Sequence, residues 1–219
     1  MTLIVGARCS DGFVLAADRR RLSKHEKGPS TTKLFQLSCG VALAGAGDDA
    51  ILNEARILID RRIKELQDES SIASLFDIVE VTAGIVNDLV SRYQSMIEEP
   101  FGFVLSGLNH LNSGNSKLYT VIGAGLSEVP WACLGSGSSY ARPLVELLLA
   151  DGNLSGAAAA NVIPTIFTLV SNVQTTVGDG IDVCIIKDEK GLNSILSKKE
   201  TDLSRLRTAI LDSVLKHSG

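Results

Sequence analysis

Residues 3–17, LIVGARCSDGFVLAA, decide the fold of this chain. Two almost continuous apolar runs, 3–9 and 13–17, flank the short polar segment Ser10-Asp11-Gly12. Two strand-like runs separated by a short loop that contains Asp-Gly predict a β-hairpin. Because neither run alternates polar with apolar residues, we expect both faces of the sheet to be covered, by a second sheet or by a layer of helices.

The rest of the chain supplies these covering layers. Residues 34–37 and 41–44 predict a second hairpin, and Asp48 opens a long helix with one apolar stripe. The further predicted elements are helices over 71–96, 140–149 and 155–174, strands over 103–107, 117–122, 131–134 and 181–186, and a final helix capped by Thr201. Strands alternate with pairs of helices, which predicts an α+β fold: a single domain over residues 1–219, built as a four-layer αββα sandwich with two antiparallel sheets between helix layers.

Composition excludes several classes of function. The 219 residues are 45% hydrophobic and carry a net charge of -4, which predicts a folded domain with no broad cationic surface for nucleic acid. Residues 157–173 are apolar, but Asn161, Pro164 and other polar residues interrupt them, so we expect a buried helix and no membrane association.

The spacing of the cysteines and histidines argues against a metal site. The four cysteines form no CxxC pair, and the three histidines are isolated, so we expect no metal and no cofactor. Scattered free cysteines and the lack of a secretory leader favour a reducing cytoplasm.

The start of the chain carries the main chemical signal. Met1 is followed by the small residue Thr2 and then directly by the first strand, and initiator methionine is commonly removed before such residues. Removal would give Thr2 a nucleophilic hydroxyl and a free α-amine, whose pKa near 8 suits a base at neutral pH. Without further context, a threonine here is an ordinary strand residue.

A series of motifs resembles proteasome β-type subunits, in order and approximate spacing over residues 2 to 187. The motifs are Thr2-Leu-Ile-Val-Gly-Ala-Arg, Asp11-Gly12, Leu15-Ala-Ala-Asp18-Arg19-Arg20, Lys33-Leu-Phe-Gln-Leu37, Ala44-Gly45 with Gly47-Asp48, Pro100-Phe101-Gly102, Lys117-Leu118-Tyr119, Gly135-Ser136-Gly137-Ser138 with Tyr140-Ala141, and Ile181-Asp182-Val183. The sandwich predicted above is also the fold of that family, the N-terminal nucleophile hydrolases. Because the chain starts at the first core strand, without the extra N-terminal helix of α-type subunits, we expect the β-type.

The resemblance implies catalytic roles for four residues. Thr2 matches the nucleophile, Lys33 the lysine that eases proton removal from it, and Asp18 the acidic partner of that lysine. Ser136 matches a serine near the threonine amine. The hairpin predicts that Asp18 lies near Thr2, but a shift of one residue would turn its side chain to the other face, where Asp18 would merely pair with an adjacent arginine.

The resemblance also implies an oxyanion donor and a substrate pocket. Gly45 matches the residue whose backbone N–H receives the oxyanion, just before the Asp48 helix, although a turn glycine would look the same. Thr31, Leu43 and Gly47 match positions that line the pocket for the residue preceding the cleaved bond. With Leu43 as its floor, this pocket is expected to prefer apolar side chains.

Two departures from the family pattern weaken the expectation of activity. The family has an aspartate before the glycine turn that precedes the last core strand, and a serine three residues later, whereas this chain has Gln174 and Val177. A neutral Gln174 can hydrogen-bond but does not favour an ammonium. Two residues fewer than usual also separate Lys33 from Gly45.

Three functions therefore stay open. The first is an N-terminal threonine peptidase in stacked rings of proteasome α-type and β-type subunits, which hydrolyses peptide or unfolded protein substrates delivered by an ATP-dependent unfoldase; amide ligation or amidase activity is a variant of it. The second is a catalytically inactive β-type subunit of the same rings. The third is a dinucleotide-binding domain, because Gly45-Ala-Gly47-Asp-Asp-Ala50 matches a GxGxxA fingerprint, although a second helix is expected where that fold needs a parallel strand.

Overall fold

A computed structural model describes residues 2–21, 28, 30–69, 74–94, 97, 101–110, 113–123 and 125–198. In chain order the elements are β1 (Ile4–Cys9), β2 (Gly12–Asp18), β3 (Leu34–Gln36), β4 (Ala42–Ala46), α1 (Asp49–Asp68), α2 (Leu75–Tyr93), β5 (Gly102–His110), β6 (Ser113–Ile122), β7 (Gly125–Glu128), β8 (Trp131–Leu134), α3 (Ser138–Leu148), α4 (Gly156–Val173), β9 (Ile181–Lys187) and β10 (Gly191–Lys198). The strands form two five-stranded sheets, ordered β10-β9-β2-β1-β8 and β3-β4-β5-β6-β7.

The first hairpin forms as predicted and sets the register of its sheet. Cys9 pairs with Gly12 and Ile4 with Ala17, so Ser10 and Asp11 are the two loop residues. Gly12 has a φ of 147°, and a Cβ there would collide with the Ile186 carbonyl oxygen of the neighbouring strand. Only glycine fits this close approach of two strands.

The two helix pairs begin at side-chain caps. Asp48 accepts hydrogen bonds from the backbone N–H groups of Ala50 and Ile51 at the start of α1. Ser74 and Asp77 form a reciprocal capping box at the start of α2. The helices α1 and α2 pack against each other and on the sheet that contains β4, β5 and β6.

Three apolar cores hold four layers together. One lies between α3–α4 and the sheet of β1, β2 and β9, and another between α1–α2 and the sheet of β4, β5 and β6. The third lies between the two sheets and includes Leu15, Leu34 and Val104. The predicted αββα sandwich is confirmed, and every strand pair in the described residues is antiparallel.

Helix α4 is the apolar stretch that composition singled out. By length and composition it could cross a membrane, but half of it is buried against β1, β2 and β9 within the domain. This is the buried helix that the sequence predicted.

Some element boundaries differ from the expectations. The strands β7 and β10 were not predicted, because their sequences GLSE and GLNSILSK contain no sustained apolar run or alternation. Residues 71–73, 95 and 96 of the predicted second helix, Pro100 and the helix expected from Thr201 lie outside the described residues.

Candidate active site

The hairpin register brings Asp18 to the start of the chain. The Leu3 N–H donates to Asp18 Oδ1 at 2.8 Å, and the Asp18 N–H donates to the Leu3 carbonyl at 3.0 Å. Asp18 therefore faces the peptide that joins Thr2 to Leu3, which resolves the question of side-chain direction that the sequence left open.

Lys33 completes a buried ion pair with Asp18. Its Nζ lies 3.2 Å from Asp18 Oδ1 and 2.5 Å from the Arg20 carbonyl oxygen. The exposed fractions of the Lys33 and Asp18 side chains are 2% and 0%. Burial raises the pKa of Asp18 above the usual aspartate range, against the opposing effects of the Lys33 ammonium and of the N–H groups of Leu3 and Gly178.

The second carboxylate oxygen of Asp18 is held by the backbone. Its Oδ2 accepts from the N–H groups of Arg20 at 3.1 Å and Gly178 at 3.3 Å. The neighbouring arginines pair with other carboxylates: Arg19 with Asp182 at 3.6 Å and Arg20 with Asp179 at 3.2 Å. The alternative in which Asp18 pairs with one of these arginines is therefore wrong.

Ser136 reaches Thr2 from the loop between β8 and α3. The Thr2 N–H donates to Ser136 Oγ at 3.3 Å, and the Gly137 N–H donates to the Thr2 carbonyl at 3.2 Å. Gly135 has a φ of 95°, and a Cβ there would collide with the Thr2 carbonyl oxygen. The Gly-Ser-Gly loop thus wraps closely around the backbone of Thr2.

The segment after α4 makes polar contacts with Ser136, although it has Gln174 and Val177 where the family pattern has aspartate and serine. The Oγ atoms of Ser136 and Thr176 are hydrogen-bonded at 2.9 Å, and Gln174 Nε2 donates to the Ser136 carbonyl at 3.2 Å. Val177 is fully buried and packs over Gly137, where a Cβ would lie 2.8 Å from it. Thr176 therefore brings a hydroxyl to Ser136 from the residue before Val177, and no carboxylate hydrogen-bonds to Ser136 in the described part of the chain.

Thr2 lies at the centre of these contacts. It is buried, and within the described residues its Oγ1 has no hydrogen-bond partner. An unpaired buried hydroxyl carries a free-energy cost that structural residues normally avoid, and such groups are concentrated at functional sites.

The backbone N–H of Gly45, the predicted oxyanion donor, is already hydrogen-bonded within the sheet. The Gly45 N–H donates to the Lys33 carbonyl oxygen at 3.1 Å, extending the β3–β4 ladder. A Cβ on Gly45 would lie 2.7 Å from both Leu52 and Phe103, so close packing against α1 and β5 already requires glycine here. The oxyanion role of Gly45 stays a prediction, and it requires this hydrogen bond to be shared or released.

A cavity of about 420 Å³ opens beside Lys33 between β3 and α1. Its lining includes Arg21, Thr31, Lys33, Phe35, Asp49 and Arg56. Of the three predicted pocket residues, Thr31 lines this cavity, whereas Leu43 is fully buried in the core under α1 and α2 and is not in the lining. Leu43 pairs with Phe35 of the edge strand β3, and it is Phe35 that lines the cavity.

Gly47, the third predicted pocket residue, also lies elsewhere. Gly47 is not part of the cavity lining and instead sits over Phe101, whose ring a Cβ would approach to 2.6 Å. The walls of this cavity carry charged side chains, and the apolar preference inferred from Leu43 stays a prediction. Sequence reasoning missed Arg56, which lies two helical turns into α1 and has no motif around it.

The cysteine thiols are poor alternative nucleophiles. Burial raises the pKa of Cys9 to about 11 and that of Cys184 to about 12. Such thiols stay protonated at neutral pH. The described residues also contain no group of three His, Cys, Asp or Glu side chains arranged to hold a metal ion.

The antiparallel sheets exclude the dinucleotide-binding interpretation. That fold requires a parallel strand after the helix that follows its glycine loop. Here β4 pairs antiparallel with β5, and α1 is followed by α2.

Comparison with known proteins identifies the family. The family model described as "Proteasome subunit" matches residues 2–186. Proteins named "Proteasome subunit alpha" are 29% identical over 204 residues in Methanococcus maripaludis (92% of this chain, 76% of the relative) and 30% identical over 188 residues in Methanocaldococcus jannaschii (84% and 69%). The β-type assignment is not confirmed, because these relatives carry the name alpha.

A solved structure shows the same fold. The Anbu (Gly-1) mutant from Hyphomicrobium sp. strain MC1 superimposes with a TM-score of 0.80 over 99% of this chain and 97% of that one, at 17% identity. The family match covers most of the chain, and the sandwich fold agrees with it. This chain belongs to the proteasome subunit family.

Proposed function

We propose that this chain is a β-type, N-terminal threonine peptidase subunit that acts once Met1 has been removed. The observation that carries the proposal is the convergence on the Thr2–Leu3 peptide: Asp18, paired with Lys33, accepts from the Leu3 N–H, and Ser136 accepts from the Thr2 N–H. A buried ion pair is costly to desolvate, and its position beside a threonine with an unpaired hydroxyl favours a catalytic explanation.

In the proposed reaction, Thr2 Oγ1 attacks the carbonyl carbon of a peptide and the free α-amine of Thr2 accepts the hydroxyl proton. The Lys33 ammonium favours this transfer by stabilising negative charge at the oxygen. Collapse of the intermediate releases the amine product, which takes up that proton, and leaves an ester on Thr2. Water then hydrolyses the ester and restores the hydroxyl. Attack by another amine in place of water would give ligation.

We also propose that the subunit works in stacked rings with α-type and β-type relatives, in the cytoplasm, on peptides or on proteins delivered by an ATP-dependent unfoldase. Large exposed apolar side chains on α3 and α4 support an assembly, since isolated domains rarely expose such groups together. They include Leu147, 79% exposed, Val173 and Tyr140.

The alternative is a structural subunit that fills a ring position without cutting. The engaged Gly45 N–H and the neutral Gln174 favour it, as do relatives that carry the name alpha. Retention of Thr2, and of an Asp18–Lys33 pair that binds the next residue, Leu3, opposes it.

Hydrolysis of fluorogenic peptides separates the two functions. The protein should be prepared with Thr2 as its first residue, confirmed by mass, beside a Thr2→Ala variant. The peptidase proposal predicts turnover that Thr2→Ala removes. Equal rates in both proteins, or no turnover with any of the peptides in the assembled protein, would favour the structural role.

A further inference from the structure

Two hydroxyl groups in contact with each other lie beside the nitrogen of Thr2. Ser136 Oγ accepts from the Thr2 N–H at 3.3 Å, and it lies 2.9 Å from Thr176 Oγ1. Either hydroxyl can be the donor in the contact between them. Gln174 donates to the Ser136 carbonyl oxygen instead. Among the described residues, Thr176 is therefore the side chain that hydrogen-bonds to the Ser136 hydroxyl.

Thr176 lies in a tight turn whose last residue is anchored in the core. The Val177 N–H donates to the Gln174 carbonyl oxygen at 3.1 Å, which closes the turn. The Val177 side chain is fully buried and packs over Gly137, where an added Cβ would lie 2.8 Å from Val177 Cγ2. Val177 thus belongs to the core, and the turn presents a hydroxyl one residue earlier, at Thr176.

Arg20 ties this turn to Asp18. Its guanidinium donates to the Thr175 carbonyl oxygen at 2.5 Å, and its backbone N–H donates to Asp18 Oδ2 at 3.1 Å. The turn is therefore held at Thr175 as well as at Val177. Because the residues on both sides of Thr176 are fixed, its hydroxyl has a defined position beside Ser136.

We propose that Thr176 is a positioning residue of this site: its hydroxyl holds Ser136 Oγ beside the Thr2 nitrogen, which becomes the α-amine when Met1 is removed. The inference rests on the proposed peptidase function. A hydroxyl has one proton to donate and two lone pairs that accept. Ser136 can accept from the Thr2 ammonium while it donates to Thr176, and it can donate to the neutral amine while it accepts from Thr176. Since the amine passes through both forms in the proposed reaction, a partner that both donates and accepts keeps Ser136 in place throughout.

The first test compares peptide hydrolysis by wild type, Thr176→Val, Thr176→Ser and Thr175→Val, all prepared to begin at Thr2. Thr176→Val keeps the size of the side chain but removes the hydroxyl, so it should lower kcat by about tenfold or more and leave KM within about twofold. Thr176→Ser keeps the hydroxyl, and its kcat should stay within about threefold of wild type. Thr175→Val is the matched control, because Thr175 is exposed and its side chain makes no hydrogen bond with the described residues; it should change neither constant.

Two kinetic results would overturn the proposal. One is a kcat for Thr176→Val within about twofold of wild type. The other is a Thr176→Ser variant as slow as Thr176→Val, since the effect would then come from packing and not from the hydroxyl.

The second test does not depend on turnover. Crystal structures of wild type and Thr176→Val, both beginning at Thr2, show where the Ser136 side chain lies. Ser136 Oγ should be within hydrogen-bond distance of the Thr2 nitrogen in wild type and turned away from it in Thr176→Val, and this result supports the positioning role even if Thr2 proves inactive. An unmoved Ser136 Oγ in the variant would overturn the proposal even if the chain is a peptidase.

Discussion

Asp18 is the residue on which the polar cluster depends. Its carboxylate accepts hydrogen bonds from Leu3, Arg20, Lys33 and Gly178, which lie just before β1, just after β2, just before β3 and in the loop before β9. The contacts that hold Lys33 beside Asp18 also compensate for burying both charges.

Replacing Asp18 with asparagine should therefore cost much more than a surface charge change. Asp18→Asn preserves shape but leaves the Lys33 ammonium buried without its counterion. We expect a loss of about 3–5 kcal/mol in the free energy of unfolding, measured by urea denaturation. A loss below about 1 kcal/mol would show that the pair is not desolvated.

A second substitution separates charge from packing. Adding Lys33→Met to Asp18→Asn removes the stranded ammonium, so the double variant should regain most of the lost stability. Labelling of Thr2 by an electrophile should stay low in both variants, because the double variant also lacks the proposed catalytic lysine. A double variant no more stable than Asp18→Asn would contradict this explanation.

At the scale of elements, β4 is the strand that packs closely against helix α1 and strand β5. Gly45 allows β4 to approach α1 and β5, with Leu52 and Phe103 filling the space that a side chain would take. The need for glycine here comes from packing, independently of any oxyanion role.

Gly45→Ala should destabilise the protein by about 1–3 kcal/mol through overpacking. The matched control is Gly84→Ala in the interior of α2, where an added Cβ meets no atom within 4 Å. There the change should raise the free energy of unfolding by about 0.5–1 kcal/mol, since alanine favours helix. Thermal melts of the two variants test both signs, and equal shifts in the same direction would contradict the packing explanation.

Burial decides which elements could be predicted from the sequence. The strands β1, β2 and β9 are covered on both faces and are continuous apolar runs, so their positions were predictable to within a residue or two. By contrast, β7 is mostly exposed and polar, and local sequence does not distinguish it from a loop.

The motifs in the sequence pointed to four candidate site residues, Thr2, Asp18, Lys33 and Ser136. Arg56 and Thr176 have no local signal, because strand register and helix packing bring them to the site.

At the scale of the whole molecule, Asp188 joins the two sheets. It follows β9, and its carboxylate accepts from Arg8 of β1 at 2.7 Å and from the N–H and hydroxyl of Ser116 in β6 at 2.7 and 2.6 Å. Burial alone would raise its pKa, but the hydrogen bonds from Ser116 and Arg8 outweigh burial and lower the pKa below the usual aspartate value.

The sign of this pKa shift sets a pH dependence. A carboxylate whose folded pKa is depressed stabilises the protein above its unfolded pKa of about 3.9, and this contribution is lost as the pH falls through the folded pKa. Asp188→Asn should therefore lower the free energy of unfolding by about 1–2 kcal/mol at pH 7, and the gap from wild type should close below about pH 4. Urea titrations at pH 7, 5 and 3 measure it.

The control for this change is Glu65→Gln, which removes an exposed pair with Arg62 on α1. It should shift stability by less than about 0.5 kcal/mol at any of these pH values. A gap between Asp188→Asn and wild type that persists unchanged at pH 3 would show that the carboxylate charge does not hold the sheets together.

Intact-mass analysis after treatment with an electrophilic peptide probe tests the role of Thr2 most directly. Protein prepared to begin at Thr2 should gain one probe mass, mapped to Thr2 by peptide sequencing, and Lys33→Met should lose most of this labelling. Protein that retains Met1 should neither react nor hydrolyse peptides. An adduct on another residue, or peptide hydrolysis by protein in which methionine is fully retained, would contradict the proposed role of Thr2 as the nucleophile.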